Sequence, residues 1–167
     1  MRQLRSSAFI TEIGLIAALY AAVTIALAPI SYGPLQLRVS EILKPIVIWE
    51  PHLIAAFVIG NFLSNLTSPF AGPWELVFMP LANLVGASAC YMVGRRQPWV
   101  GAFLYALVIA AAVSMMLSVL LRLSFRVLFP GIFASEAILI IGGLPVMRAI
   151  RQAVQPLRRR WAGRGLG

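Results

Sequence analysis

The chain has 167 residues, 60% hydrophobic and 11% charged, with 14 basic residues against 5 acidic and a mean hydropathy of +0.89. A soluble domain carries about 25% charged residues, so this composition describes an integral membrane protein with little chain left for a soluble domain. The basic excess gathers at the ends of apolar runs, which points to cytoplasmic flanks and anionic headgroups; no basic face with interleaved aromatics speaks for nucleic acid.

Roughly 20 apolar residues cross a bilayer core about 30 Å thick, so the length allows about five or six spans. Strand alternation is missing, which argues against a membrane barrel. The first helix is expected over about 8–28, stopped at Pro29. Arg2 and Arg5 precede it in the manner of a signal peptide, but the apolar run is long for one and further spans follow. Along this helix Gly14, Ala18, Ala22 and Ala26 stand four apart, with Ala17 and Ala21 alongside. Small residues at that spacing let helices approach closely in lipid. Packing inside this chain and docking of another membrane protein both fit.

The turn SYGPLQ follows, and then a short second segment over about 39–49 that contains Pro45. Its length is marginal for a span, so it is expected to be tilted, kinked or partly unwound. Glu50, Pro51 and His52 turn the chain into a third helix, about 52–65. After the loop SNLTSPFAGPW come helix four (about 74–93), the basic turn Arg95-Arg96-Gln97-Pro98, helix five (about 99–121) and helix six (about 131–147). A basic tail, RAIRQAVQPLRRRWAGRGLG, closes the sequence. With the N-terminus in the cytoplasm, about ten basic residues share the inner side, while Arg122 and Arg126 fall outside. The expectation is all-α: a polytopic membrane protein with six transmembrane helices in one bundle and both termini cytoplasmic. Residues 1–150 form the membrane domain and 151–167 the tail. No internal repeat supports a two-halved transporter.

Charges concentrate in the stretch after the first helix. Arg38, Glu41 and Lys44 lie three apart and would share one side of a helix. Charged groups at membrane depth are functional candidates by default. An internal ion pair of Arg38 or Lys44 with Glu41 is the competing reading, as is a Lys44 that snorkels to the surface. Glu75, at the head of helix four, is either a ligand contact or a carboxylate placed on the helix dipole. Asn61, Asn65 and Asn83 need partners in lipid, from neighbouring helices or from a ligand. Glu136 is expected to pair with Arg122 or Arg126.

Nothing points to catalysis. The chain has one histidine, one cysteine and no aspartate. It has no metal-ligand spacing, no GxSxG and no phosphate-binding glycine loop. No metal or cofactor is expected, and Cys90 reads as a packing residue.

The stretch APISYGPLQLRVSEILKPIV, directly after the alanine-rich helix, resembles the hallmark of the QueT family of queuosine-precursor transporters. NFLSNLTSPFAGPWELVF is similar to that family's second loop. The resemblance covers about residues 11–95 and continues beyond as hydropathy alone. It implies a substrate-binding (S) component of an energy-coupling factor (ECF) transporter in the bacterial cytoplasmic membrane. Such a protein has a pocket near the outer face and a small-residue face on helix one that docks onto a transmembrane coupling protein carrying two ATPases. Carried onto this chain, the docking face is Ala18 and Ala22 with Gly14, Ala17 and Ala21. The first motif falls on Tyr32, Gly33, Pro34, Gln36, Arg38 and Glu41, and the second on Asn65, Ser68, Pro69 and Glu75.

Two departures stand out. The family's Asp at the head of helix four is Glu75, one methylene longer. A usually glycine-containing stretch reads FMPLANLVGA, with Pro80 and Asn83.

A deazaguanine base suits these residue types. A carboxylate accepts its ring N–H and exocyclic amine together. Its carbonyl wants a donor such as Arg38, Gln36 or an Asn, and its ring wants an aromatic face, Tyr32 or Trp74. The candidate substrate-binding residues are therefore Tyr32, Gly33, Gln36, Arg38, Glu41, Asn65, Trp74, Glu75 and Asn83, with either Glu41 or Glu75 reading the base. An S component for another vitamin-like molecule, and a structural membrane protein without transport, are the alternatives.

Overall fold

The structure, a computed structural model, describes residues 2–33 and 36–164. Pro34 of the first-loop motif lies outside the described residues, as does the end of the tail. Among the described residues six α-helices run in chain order: α1 (Arg2–Ala26), α2 (Ala28–Ser31), α3 (Ile54–Asn65), α4 (Met79–Gly94), α5 (Pro98–Leu121) and α6 (Phe125–Arg164). A 3-10 helix occupies Val39–Ile48, a second 3-10 turn Pro51–Leu53, and a π turn Trp74–Phe78 leads into α4. No strand occurs among the described residues.

Among the described residues, four segments are long and apolar enough to cross a membrane: Ser7–Ala26, Trp74–Gly94, Pro98–Leu121 and Phe125–Pro156. Large apolar side chains such as Leu15, Val77, Val85 and Ile138 point outward from them and are more than half exposed, as a lipid-facing belt requires. The chain is thus an all-helical, multi-pass membrane bundle. Val39–Ile48 and Ile54–Asn65 are shorter. At about 2.0 Å rise per residue, the ten-residue 3-10 helix extends only about 20 Å.

Two boundaries depart from the sequence reading. Pro29 does not simply stop the first helix; α1 ends at Ala26, and Pro29 sits in the first turn of the short α2, where its missing N–H is harmless. The last helix is far longer than 131–147. It starts at Phe125 and continues through Pro130, Pro145 and Pro156 into the basic tail.

The 3-10 helix is the centre of the packing. The long α6 lies along it, α5 packs between α4 and α6, and α1 packs on α3. Glycines set the closest approaches. A Cβ on Gly143 would press into the carbonyl group of Ile42 in the 3-10 helix, and one on Gly60 would come within 2.9 Å of the Ala17 carbonyl oxygen. Three residues per turn also stack every third side chain on one line. Glu41, Lys44 and Val47 therefore share the face turned to the core, and all three are buried.

Candidate functional site

The polar residues gather inside the bundle. Gln36, Arg38, Glu41, Lys44, Asn61, Asn65, Glu75, Asn83 and Glu136 are each no more than 2% exposed. Lys44, the one lysine of the chain, is fully enclosed. Burying charge at membrane depth is expensive unless every group is paired, so the pairing defines the site.

Arg38 organises one half. It follows Gln36, which adopts a left-handed backbone (φ 50°), a conformation a non-glycine residue holds at a cost of order 1–3 kcal/mol and mostly at functional sites. That twist turns the Gln36 side chain inward, where its Oε1 accepts from Arg38 Nη2 at 3.3 Å. Arg38 Nη1 donates to Asn65 Oδ1 at 3.0 Å, and Nη2 also lies 3.4 Å from Glu75 Oε1. The guanidinium sits 5.2 Å from the centre of the Tyr32 ring, and the Tyr32 hydroxyl donates to the Ser64 carbonyl at 2.6 Å. Asn65 completes its amide by donating to Asn61 Oδ1 at 3.3 Å and to the Glu75 carbonyl at 2.9 Å. Glu75 itself is presented by the π turn, a local widening that recurs at functional sites. Its Oε2 has no hydrogen-bond partner.

Glu41 and Lys44 make the other half. They form an ion pair along the 3-10 face. The Tyr20 hydroxyl, from α1, donates to Glu41 Oε1 at 2.5 Å. Lys44 Nζ lies 4.9 Å from the centre of the Tyr105 ring and 5.9 Å from that of Tyr20, a favourable seat for a cation. Behind it, the Tyr105 hydroxyl donates to Asn83 Oδ1 at 3.3 Å, and Asn83 Nδ2 donates to the Met79 carbonyl. Thr24 and Ser40 join α1 to the 3-10 helix by a 2.6 Å hydroxyl contact.

Of the sequence-derived candidates, Gln36, Arg38, Asn65 and Glu75 form one connected group, with Tyr32 over its guanidinium. Glu41 stands in the adjoining group. Asn83 joins through Tyr105 rather than directly. Gly33 lines a neighbouring cavity of about 290 Å³ together with Tyr32, Gln36, Phe70 and leucines of α5 and α6. Trp74 is half-buried and stacks edge-on against Phe78 at 5.3 Å, beside the polar cluster.

Glu136 is a correction to the expected pairing. Arg122 and Arg126 are exposed, whereas Glu136 lies in the core within hydrogen-bonding range of Glu41. Tyr20 and Tyr105 were missed altogether, because an isolated tyrosine in an apolar helix looks like packing until its hydroxyl partner is seen. Lys44 does not snorkel; it is the inward ion pair with Glu41.

The small-residue stripe of α1 divides in two. Ala17 and Ala21 are buried within this chain, and Ala17 is the residue against which Gly60 packs. Gly14, Ala18 and Ala22 stay exposed, and a side chain built on Gly14 would meet nothing within 4 Å.

Residues 10–152 match the model of the QueT transporter family. The queuosine precursor transporter QueT of Lactococcus lactis subsp. cremoris (strain MG1363) is 43% identical over 84 residues, which are 46% of this chain and 50% of that protein. The chain thus spans about half the length of the curated relative it matches. No solved structure matches it.

Proposed function

The chain belongs to the QueT transporter family, and from that premise we propose that it is the membrane-embedded substrate-binding subunit of an energy-coupling factor importer for a queuosine precursor, a 7-deazaguanine base. The observation that carries this reading is the enclosed Arg38–Asn65–Glu75 group, with one Glu75 oxygen unpartnered beside an amide and an aromatic ring. A guanine-like edge offers two adjacent N–H donors to such a carboxylate, and Arg38 offers N–H donors to the base carbonyl. Glu41 is already engaged by Tyr20 and Lys44, which favours Glu75 as the group that reads the base. The cavity at Tyr32, Gly33 and Gln36 is the approach to it, from the outer face.

In this reading, Val39–Ile48 and Ile54–Asn65 complete six membrane passages and both termini are cytoplasmic, as the basic flanks favour. The protein sits in a bacterial cytoplasmic membrane. It hydrolyses nothing itself; a transmembrane coupling protein with two ATPases drives uptake. Gly14, Ala18 and Ala22 form the docking face for that coupling protein, since they are small and uncovered. The basic end of α6 lies on the inner membrane surface.

Thermal unfolding of the purified protein with 7-deazaguanine bases, riboflavin, thiamin and biotin tests the assignment. A ligand at 100 times its Kd stabilises the native state by about 2.7 kcal/mol, so the deazaguanines alone should raise the midpoint. A rise with one of the other three would make this an S component for that vitamin. No rise with any would leave a structural membrane protein.

A further inference from the structure

Two exposed arginines serve neither the polar site nor the inner basic flanks. Arg122 ends α5, and Arg126 lies in the first turn of α6. They stand at the end of the bundle away from the Arg95-Arg96 turn and the basic tail. Among the described residues, neither takes part in an ion pair. Three of the chain's acids, Glu41, Glu75 and Glu136, are buried in the core. Glu12 and Glu50 stand with His52 and Arg151, and Arg151 is about 38 Å along α6 from Arg126. Both arginine positions carry a cost. Arg122 holds a left-handed backbone (φ 55°), where a helix end ordinarily places glycine. Arg126 sets a cation in the first turn of a helix, where the macrodipole repels it. An anion would offset that repulsion, and the chain supplies none.

Beside this turn runs an open trough of about 670 Å³ between α4 and α5. Its floor is Ala82, Ala111 and Ala112, and the more exposed Val85, Met115 and Phe125 form its walls. Every residue that lines it is apolar, so its occupant is hydrocarbon. From Met115 down to Val108 the trough follows α5 for about 10 Å. That is roughly two-thirds of one leaflet in a hydrocarbon core about 30 Å thick. Phe125, at the rim, is the chain neighbour of Arg126 and three residues from Arg122. An apolar slot with two cations at its mouth has the polarity of a lipid in reverse.

We propose that Arg122, Arg126 and the α4–α5 trough bind one anionic phospholipid, with an acyl chain on the alanine floor and the phosphate at the two guanidinium groups. Arginine grips phosphate oxygens through paired N–H donors. Charge complementarity favours this occupant over a second copy of the chain, which by two-fold symmetry would bring its own arginine pair to the same rim. The bound lipid joins α4 and α5 to the start of α6, and in the orientation proposed above it belongs to the outer leaflet. The proposal uses no residue of the polar site, so it holds whichever ligand the protein carries.

Thermal unfolding of the purified full-length chain in detergent tests this, with dioleoyl phosphatidylglycerol, dioleoyl phosphatidylcholine and glycerol 3-phosphate as probes. Phosphatidylglycerol should give the same rise in midpoint at about 10- to 30-fold lower concentration than phosphatidylcholine, the worth of two basic residues at a lipid surface. Glycerol 3-phosphate, which has no chains, should give no rise. Arg122→Gln/Arg126→Gln should erase the advantage of phosphatidylglycerol and leave phosphatidylcholine unchanged. Ala111→Leu, which fills the trough, should weaken both lipids; should it fail to fold, Val85→Trp at the exposed wall replaces it. Equal action of the two lipids on the unmodified protein overturns the proposal. So does an advantage that survives Arg122→Gln/Arg126→Gln and disappears in Arg95→Gln/Arg96→Gln, which would put the anionic lipid at the other end of the bundle. A full effect of glycerol 3-phosphate would make the arginines a free-anion site and overturn the lipid. A dimer in light scattering that Ala111→Leu dissolves would give the trough to a second copy instead.

Discussion

Lys44→Met is the sharpest probe of how this bundle tolerates charge at its centre. Lys44 and Glu41 are enclosed, with side-chain exposures of 0% and 1%. Removing one partner of such a pair leaves an uncompensated buried charge and costs about 3–5 kcal/mol. The neighbourhood places Lys44→Met at the upper end of that range, because it strands Glu41 beside a second acid, Glu136. Glu41→Gln belongs at the lower end. It strands Lys44 but removes the like charge facing Glu136, and Lys44 keeps the Tyr105 and Tyr20 rings around it. For a domain of this size each kcal/mol lowers the unfolding midpoint by roughly 2–4 °C, so the single variants should fall by about 6–20 °C.

The double variant Glu41→Gln/Lys44→Met removes both charges at nearly constant volume. It should recover most of the loss, giving a coupling of more than about 2 kcal/mol. The assay is thermal unfolding of detergent-purified protein followed by fluorescence-detected size exclusion at fixed pH and salt. Strictly additive losses, or single-variant shifts below about 2 °C, would refute the claim that the pair is mutually neutralising.

Four further outcomes follow from the same geometry. Gly143→Ala should destabilise by about 1–3 kcal/mol, because its Cβ meets the Ile42 backbone rather than a yielding side chain; the same unfolding assay reads it. Ala17→Leu should destabilise comparably, whereas Ala18→Leu, on the exposed stripe, should leave stability and ligand binding unchanged and abolish co-purification with the coupling protein proposed above. Glu75→Gln should weaken deazaguanine binding about 10- to 100-fold, the value of a charged hydrogen-bond pair, as read by calorimetry. Arg38→Lys should fail to substitute, since an ammonium cannot reach Asn65, Gln36 and Glu75 from one planar fork; unchanged binding and stability would contradict that role.

The overall class was legible from composition. Apolar runs of bilayer length dictate helices in lipid, because a backbone without water must satisfy its own hydrogen bonds. Hence two spans, Trp74–Gly94 (the π turn and α4 together) and Pro98–Leu121 (α5), start and stop within one residue of the expected positions. The second segment was legible as irregular, since Pro45 and its short length speak against an ordinary span. That it becomes a 3-10 helix, and so lines up Glu41, Lys44 and Val47, came from the packing of α6 and Gly143 against Ile42. The final helix was misjudged at both ends, because prolines that usually break a helix in water are tolerated in membrane helices, where neighbours re-satisfy the freed groups.

The candidate site divides along the same line. Spacing and residue type in the 31–51 stretch were enough to mark Arg38, Glu41 and Lys44 as candidates, since charges at membrane depth are rarely incidental, whereas Gln36 entered only through the family resemblance. Which charge meets which was a matter of the third dimension. Glu75 and Asn65 reach Arg38 across separate loops, Tyr20 reaches Glu41 from α1, and Glu136 turns inward instead of towards Arg122 or Arg126. Sequence order holds the chemistry of each group, whereas electrostatic pairing depends on distances of a few ångströms between residues far apart in the chain. The amino-acid sequence by itself therefore determined a helical membrane protein with charge concentrated at membrane depth; only the tertiary structure decided its ion pairs and the one acid left over.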